Sequence, residues 1–258
     1  MPLITSNGMQ IHYRRSGAGN QAMVLVHGVT DSSRSWMNFI RPLESAYDLV
    51  AYDVRGHGLS AKPETGYGLA DHLGDLAGLL SALRLERPIL VGHSMGGGIV
   101  AAFAAEHPDV PRAVILEDPA YFEWPQPLDE AVAGFAARME LYSGLSKSEL
   151  VKLSRTESPL WAEADREPWA EGKSEFTTRV LETMRQLPQI APLLPRITAP
   201  TLILKADAPP DQSRRHARAA SAIHGRLVHI DGAAHNIHRD QPAAMLAAIR
   251  DFLAAHGC

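Results

Sequence analysis

The sequence holds a single cysteine, Cys258, the last of its 258 residues. One thiol excludes an intramolecular disulfide framework and every zinc or iron–sulfur site built on cysteine pairs. Long apolar runs are missing as well, and none approaches the roughly 18 residues that span a bilayer. The opening MPLITSNGMQIHYRR lacks the basic-then-apolar order of a secretory signal. Basic charge is not in excess: the net charge is −4, which argues against a nucleic-acid footprint. These absences set the expectation of a soluble, reduced, cytoplasmic protein with no nucleic-acid or membrane partner. Nothing in the sequence calls for a metal or an organic cofactor, and no feature points to an oligomeric state.

What is present is 45% hydrophobic residues, 20 glycines and 12 histidines, enough for one large domain with a sizeable core. Strand-like runs occur at Met9–Arg15, Ala22–His27, Tyr47–Tyr52, Pro88–Gly92, Ala113–Leu116, Thr201–Leu204 and Arg226–Ile230. The turn Ser16–Asn20 reads as a hairpin between the first two. Helical periodicity follows at Leu69–Leu83, at Met95–Glu106 and through Met245, Leu246, Ile249, Phe252 and Leu253. Alternation at this spacing predicts an α/β fold with a mainly parallel sheet covered by helices on both faces. From Tyr121 to about Leu194 only helical pattern remains: Leu128–Tyr142, a helix opened by the capping box Ser146-Lys-Ser-Glu149, and a third marked by Phe176, Val180, Met184 and Leu187. The expected organisation is a core of 1–119 and 196–258 interrupted by a helical lid at 120–195.

The most informative segment is Gly92-His93-Ser94-Met95-Gly96. It fits G-x-S-x-G between a strand-like and a helix-like run, where a tight turn exposes a serine hydroxyl above a helix N-terminus. Two phosphate-loop readings fail: no Lys-Ser/Thr follows Gly97, and the glycines of Gly17–Ala22 do not open a helix. A nucleophilic serine needs a base, expected late in the chain after the last strand. His235 in Asp231-Gly-Ala-Ala-His235-Asn-Ile-His238 is that candidate, with His238 as its competitor. The remaining histidines read as ordinary polar positions, His93 as a shaper of the turn.

With these pieces in place the sequence resembles the α/β-hydrolase superfamily. The match covers nearly the whole core: Val24-Leu-Val-His27-Gly28, Asp53-Val-Arg55-Gly56-His57-Gly58-Leu-Ser60, the serine elbow and Gly232-Ala-Ala-His235. The resemblance implies an oxyanion hole of backbone amides from Val29 and Met95. It also implies a bracing role, not a catalytic one, for Asp53, Arg55 and His57. Its usual acid position, after the strand before the last, falls here on Pro209, flanked by Asp207 and Asp211. Some members, certain haloalkane dehalogenases and zearalenone lactonases among them, place the acid one strand earlier, which here gives Asp118 beside Glu117. Asp118 is the expected acid and Asp207 the alternative, followed by Glu117 and Asp211.

A serine at the elbow argues against the alkyl-ester chemistry of dehalogenases and epoxide hydrolases, whose elbow carries aspartate. The expected reaction is hydrolysis of a carboxylic ester or lactone of a small, fairly apolar molecule. Lid aromatics Tyr121, Phe122, Trp124, Trp161 and Trp169 would furnish its apolar walls. The resemblance leaves other readings open: carbon–carbon bond hydrolysis or menaquinone-pathway-type elimination on the same triad, an aminopeptidase, and a ligand receptor with little turnover. Substrates of the first two kinds need a pocket-facing arginine cluster, whereas Arg155, Arg166, Arg179 and Arg185 read as solvated helix charges.

Overall fold

The computed structural model describes residues 2–122, 128–223 and 225–258. Within them, strands β1 (Leu3–Ser6), β2 (Met9–Ser16), β3 (Gln21–Val26), β4 (Tyr47–Tyr52), β5 (Ile89–His93), β6 (Ala113–Glu117), β7 (Thr201–Lys205) and β8 (Gly225–His229) form one sheet in the order β1-β2-β4-β3-β5-β6-β7-β8. β1, β2 and β4 pair antiparallel, and every pairing from β4 to β8 is parallel. The helices are α1 (Met37–Ile40), α2 (Leu69–Ala82), α3 (Met95–Glu106), α4 (Leu128–Ser143), α5 (Lys147–Glu157), α6 (Glu163–Gly172), α7 (Leu181–Gln186), α8 (Pro210–Ala219), α9 (Ile237–Asp240) and α10 (Pro242–Ala255). None is long and apolar enough to cross a membrane.

The two-residue period of the strands divides the core. Val24, Val26, Val50, Leu90 and Leu116 face α2 and α3 on one side, while Met23, Leu25, Leu49, Val91 and Ile115 face Trp36, Phe39 and α10 on the other. Strands buried on both faces explain why these segments read as continuous apolar runs rather than alternating ones.

The segment Ser16–Asn20 does not form the expected hairpin. β4 lies between β2 and β3, antiparallel to one and parallel to the other, and the other edge of β3 is taken by β5. The connecting turn instead runs against the start of β4, where Ala18 N donates to Glu44 O at 2.9 Å. A Cβ on Gly17 (φ 95°) would lie 2.1 Å from Tyr47 O, so that glycine answers to a close backbone approach.

Helices α4 to α7 lie between β6 and β7. The capping box at Ser146 is present, with Ser146 N donating to Glu149 Oε2 at 2.8 Å. The third expected helix is shorter than its periodicity suggested: a 3-10 turn at Thr178–Val180 leads into α7. Unanticipated are α6, whose charged sequence carries Pro168, and the four-residue edge strand β1. Polar ties anchor this helical segment to the core. Arg34 pairs with Glu171 and Glu175 at 2.9 and 3.0 Å. Asn38 Nδ2 donates to Asp165 at 2.6 Å, and His72 meets Thr183 Oγ1 at 2.7 Å.

Candidate active site

β5 ends at His93 and α3 begins at Met95, leaving Ser94 to make the whole turn at φ 50°, ψ −115°. A non-glycine residue there carries strain of about 1–3 kcal/mol, tolerated where the surroundings impose it. The flanking glycines show what imposes it. A Cβ on Gly92 would lie 2.4 Å from Gly96 O, and one on Gly96 would lie 2.2 Å from Val26 O. The hydroxyl of Ser94 does not cap α3, so it is not committed to the helix.

Ser94 and His235 line one cavity of about 310 Å³ together with Gly28, Val29, Thr30, Asp31, His93 and Asn236 from the core. Its other wall comes from Phe135, Arg138, Met139 and Tyr142 of α4, Trp169 of α6, and Lys173. Val29 borders the cavity. Met95 is the first residue of α3, and its amide is among the four at a helix start that have no intrahelical acceptor. The loop carrying Val29 is held by neutral histidines: His57 Nε2 accepts Thr30 N at 3.3 Å, and His27 Nε2 accepts Val54 N at 3.0 Å. Burial pushes His57 down to about 3. Asp53 accepts from Ser33 N, Leu59 N and His12 Nδ1 at 2.6–2.8 Å. Arg55 pairs with buried Asp75 at 2.5 Å. All three motif residues sit in bracing networks.

At the end of β6 the two adjacent carboxylates go to different histidines. Asp118 Oδ2 lies 2.6 Å from His235 Nδ1, and its other oxygen is ion-paired with Lys205. Burial raises Asp118, but the bond and charge of His235 with the charge of Lys205 outweigh it and hold the group ionised, well below the usual carboxylate range. Burial also pulls His235 down. The hydrogen bond and charge of Asp118 overcome that, so its net position is above the ordinary imidazole value. Glu117 is wholly buried and accepts from His238 N and Nδ1 at 2.8 and 2.7 Å. Burial pushes Glu117 up and His238 down to about 3.

Asp207 is elsewhere. It is exposed, takes Gly232 N at 3.0 Å and donates its own N–H to Ala233 O at 2.9 Å, strapping the loop that carries His235. Asp211 pairs with Arg215 one helical turn on. His93 supports the same loop from below, with Nε2 at 3.0 Å from His235 O. His93, Glu117 and His238 each offer a ligand atom within 4.8 Å of the other two. Glu117 Oε1 is engaged by His238 N and Nδ1, while Glu117 Oε2, His93 Nδ1 and His238 Nε2 have no hydrogen-bond partner among the described residues of this buried polar layer.

The expected aromatic walls need correction. Tyr121 does not line the cavity: it is buried in the core, its hydroxyl donating to Met184 O at 2.8 Å. Trp161 stands behind the wall, its Nε1 bonded to Asp240 at 2.8 Å and its ring edge-on to Trp169, which, among the described tryptophans, reaches the cavity. Trp124 lies outside the described residues. Of the four arginines named from the sequence, none borders the cavity; Arg138 and Lys173 do. Arg138 bonds Tyr142 Oη and Glu157 at 2.7 Å. Lys173 is buried, donates to Thr30 O and Oγ1 at 3.0 and 2.9 Å, and lies 3.8 Å from Asp31. Burial lowers it to about 8 against the pull of Asp31. Arg138 and Lys173 were not singled out in the sequence; only the folded segment brings them to the cavity.

The family model for the α/β-hydrolase fold matches residues 21–242. The 2-(acetamidomethylene)succinate hydrolase of Mesorhizobium japonicum is 30% identical over 260 residues, spanning 95% of this chain and 92% of that protein. The N-formylmaleamate deformylase of Pseudomonas putida is 34% identical over 118 residues, 45% of this chain and 44% of that one. A crystal structure of an E-2-(acetamidomethylene)succinate hydrolase superposes with a TM-score of 0.78 at 26% identity, covering 98% of this chain and 100% of that one. The chain belongs to the α/β-hydrolase family.

Proposed function

We propose that the protein is a serine hydrolase that cleaves a carboxylic ester or lactone of a small molecule through an acyl-enzyme. Ser94 is the nucleophile, His235 the base and Asp118 the acid that orients it. The observation that carries this reading is the contact of Asp118 Oδ2 with His235 Nδ1 at 2.6 Å, beside a strained, uncapped Ser94 in the same cavity.

Ser94 Oγ adds to the carbonyl carbon as its proton passes to His235 Nε2. Asp118 fixes the tautomer that leaves Nε2 free and stabilises the imidazolium. The oxyanion is received by the amides of Val29 and Met95, each worth roughly 10²–10³ in rate. Collapse expels the alcohol, which takes the proton from His235. Water, activated by His235, then releases the acid and restores Ser94.

The cavity also suggests what the substrate carries. Phe135, Met139, Tyr142 and Trp169 suit a small apolar body, while Arg138 and Lys173 suit an anionic group on it. Two relatives are named for a succinate and a maleamate, both carboxylate-bearing. Those same names favour a second reading, an N-acyl amide in place of the ester, with His235 protonating the departing nitrogen.

The test is a panel of p-nitrophenyl esters, lactones and N-acyl amides, with and without a carboxylate on the acyl or the leaving part, run on wild type and Ser94→Ala. Turnover that disappears in Ser94→Ala, fastest on carboxylate-bearing substrates, supports the reading. Turnover unchanged in Ser94→Ala contradicts it.

A further inference from the structure

Lys205 ends β7, four residues before Pro209, where the family's acid was looked for, and it is only 8% exposed. Its ammonium is ion-paired with the Asp118 oxygen that His235 does not use. The face of Phe122 lies 5.4 Å from the same nitrogen. A carboxylate gripped at both oxygens has one orientation. Asp118 leaves β6 at φ 35°, in the left-handed region, with its N–H held by Leu204 O of β7 at 2.8 Å, so the backbone is placed by the sheet and the carboxylate by its two partners.

We propose that Lys205 is a positioning residue of this hydrolase: its ammonium fixes the Asp118 carboxylate toward His235 and moderates how strongly that carboxylate holds the imidazolium. The inference rests on the assignment of Asp118 and His235 above. A buried lysine beside a buried aspartate also has a purely structural reading, in which each only compensates the other's desolvation. The two readings differ in what happens to His235. If Lys205 acts through Asp118, removing the ammonium leaves a more basic carboxylate, and the imidazolium is held more tightly. The charge of Lys205 already opposes protonation of His235, against the pull of Asp118 and Glu117.

The groups around the pair come from several elements. Asp118 and Glu117 stand at the end of β6, and His93 at the end of β5. On the far side of Lys205 are His216 of α8 and His229 of β8, 3.0 Å apart, and both are pushed down by burial and by the Lys205 charge. Asp207 and Asp231 act on His229, and His238 and Arg239 of α9 lie beyond Glu117. Burial and the Lys205 charge both disfavour the protonated forms of His216 and His229, and among the described residues Lys205 is the lysine ion-paired with Asp118.

The experiment compares wild type, Lys205→Met and Lys205→Arg by two readouts: kcat/KM against pH, and titration of the His235 imidazole by ¹⁵N NMR. In Lys205→Met the His235 midpoint moves upward by roughly half to one unit. Plateau kcat falls about tenfold or more with KM little changed, and Lys205→Arg restores the midpoint. If Lys205→Met does not fold, Lys205→Gln, which keeps a donor without the charge, takes its place. A His235 midpoint and plateau kcat that match wild type while only thermal stability drops overturn the proposal. The NMR titration needs no turnover. A failure of the Ser94 assignment would show in the Ser94→Ala assay and leave this result separately readable.

Discussion

Glu117 and Asp118 are consecutive in the chain, and each meets the Nδ1 of a different histidine: Glu117 that of His238 at 2.7 Å, Asp118 that of His235 at 2.6 Å. Their environments separate them. Asp118 borders the cavity residue His235 and a lysine, and it is held ionised. Glu117 has no surface and is pushed up by burial. His238, paired with a carboxyl that burial pushes up and itself lowered to about 3, is poorly suited to accept a proton from Ser94. His235, half-exposed on the cavity and raised, is well suited.

The two rival acids therefore separate in an assay. Asp118→Asn should lower kcat by about 10⁴-fold, because the amide can no longer hold the productive tautomer. Asp207→Asn keeps an amide oxygen that can accept Gly232 N–H and loses only the charge, so it should cost about 1 kcal/mol of stability or less with kcat within a few-fold of wild type. Steady-state kinetics and thermal melts on both variants check this.

The parallel sheet was legible because five strands, β3 to β7, are apolar enough to be buried on both faces, and the serine elbow because its glycines have backbone within 2.4 Å of where a Cβ would lie. The choice between Asp118 and Asp207 was open in sequence because both stand at the end of a strand. What distinguishes them is the folded contact of Asp118 with His235, where Asp207 instead takes Gly232 N. The pocket wall was least legible. Trp161, Trp169 and Tyr121 have the same composition signal, yet one reaches the cavity, one backs it and one is in the core. Pairing of β2 with β4 was hidden for a related reason: a short glycine turn looks the same whether it closes a hairpin or passes beneath a third strand.

Activity should follow the neutral form of His235. Its midpoint is raised, so kcat/KM should climb with pH through a value above the ordinary 6.5. Stability runs the other way. A group raised on folding contributes fully below its unfolded value, and that contribution is lost as pH rises through the folded one. Asp118 is depressed, so its contribution is present above the ordinary carboxylate range and lost on acidification. A pH series of kcat/KM alongside melting temperatures, compared with His235→Ala, measures both.

Lys173 sits near 8, so the cavity should lose positive charge as pH rises through that value. KM for carboxylate-bearing substrates should increase there, while KM for uncharged ones changes little. Arg138→Ala should raise KM for the same acids by about 10-fold or more, the worth of one charge-assisted contact. Inhibition by simple dicarboxylates, measured across pH 7 to 9, reads the same effect without turnover.

Gly96→Ala is the sharpest packing test. The added methyl would stand 2.2 Å from Val26 O, on backbone that cannot rotate away. A loss of about 3 kcal/mol or failure to fold is expected, against near-neutral behaviour for Gly134→Ala, which meets nothing within 4 Å. Denaturant titrations of both variants decide it.

The central claim is that Ser94 carries the acyl group. Mixing the protein with excess p-nitrophenyl acetate, quenching in acid within the first turnover and mapping the peptides by mass spectrometry tests it. The account predicts one acetyl group on Ser94, absent in Ser94→Ala and far slower to form in Asp118→Asn. Acetylation at another residue, with Ser94 unmodified during turnover, would contradict it.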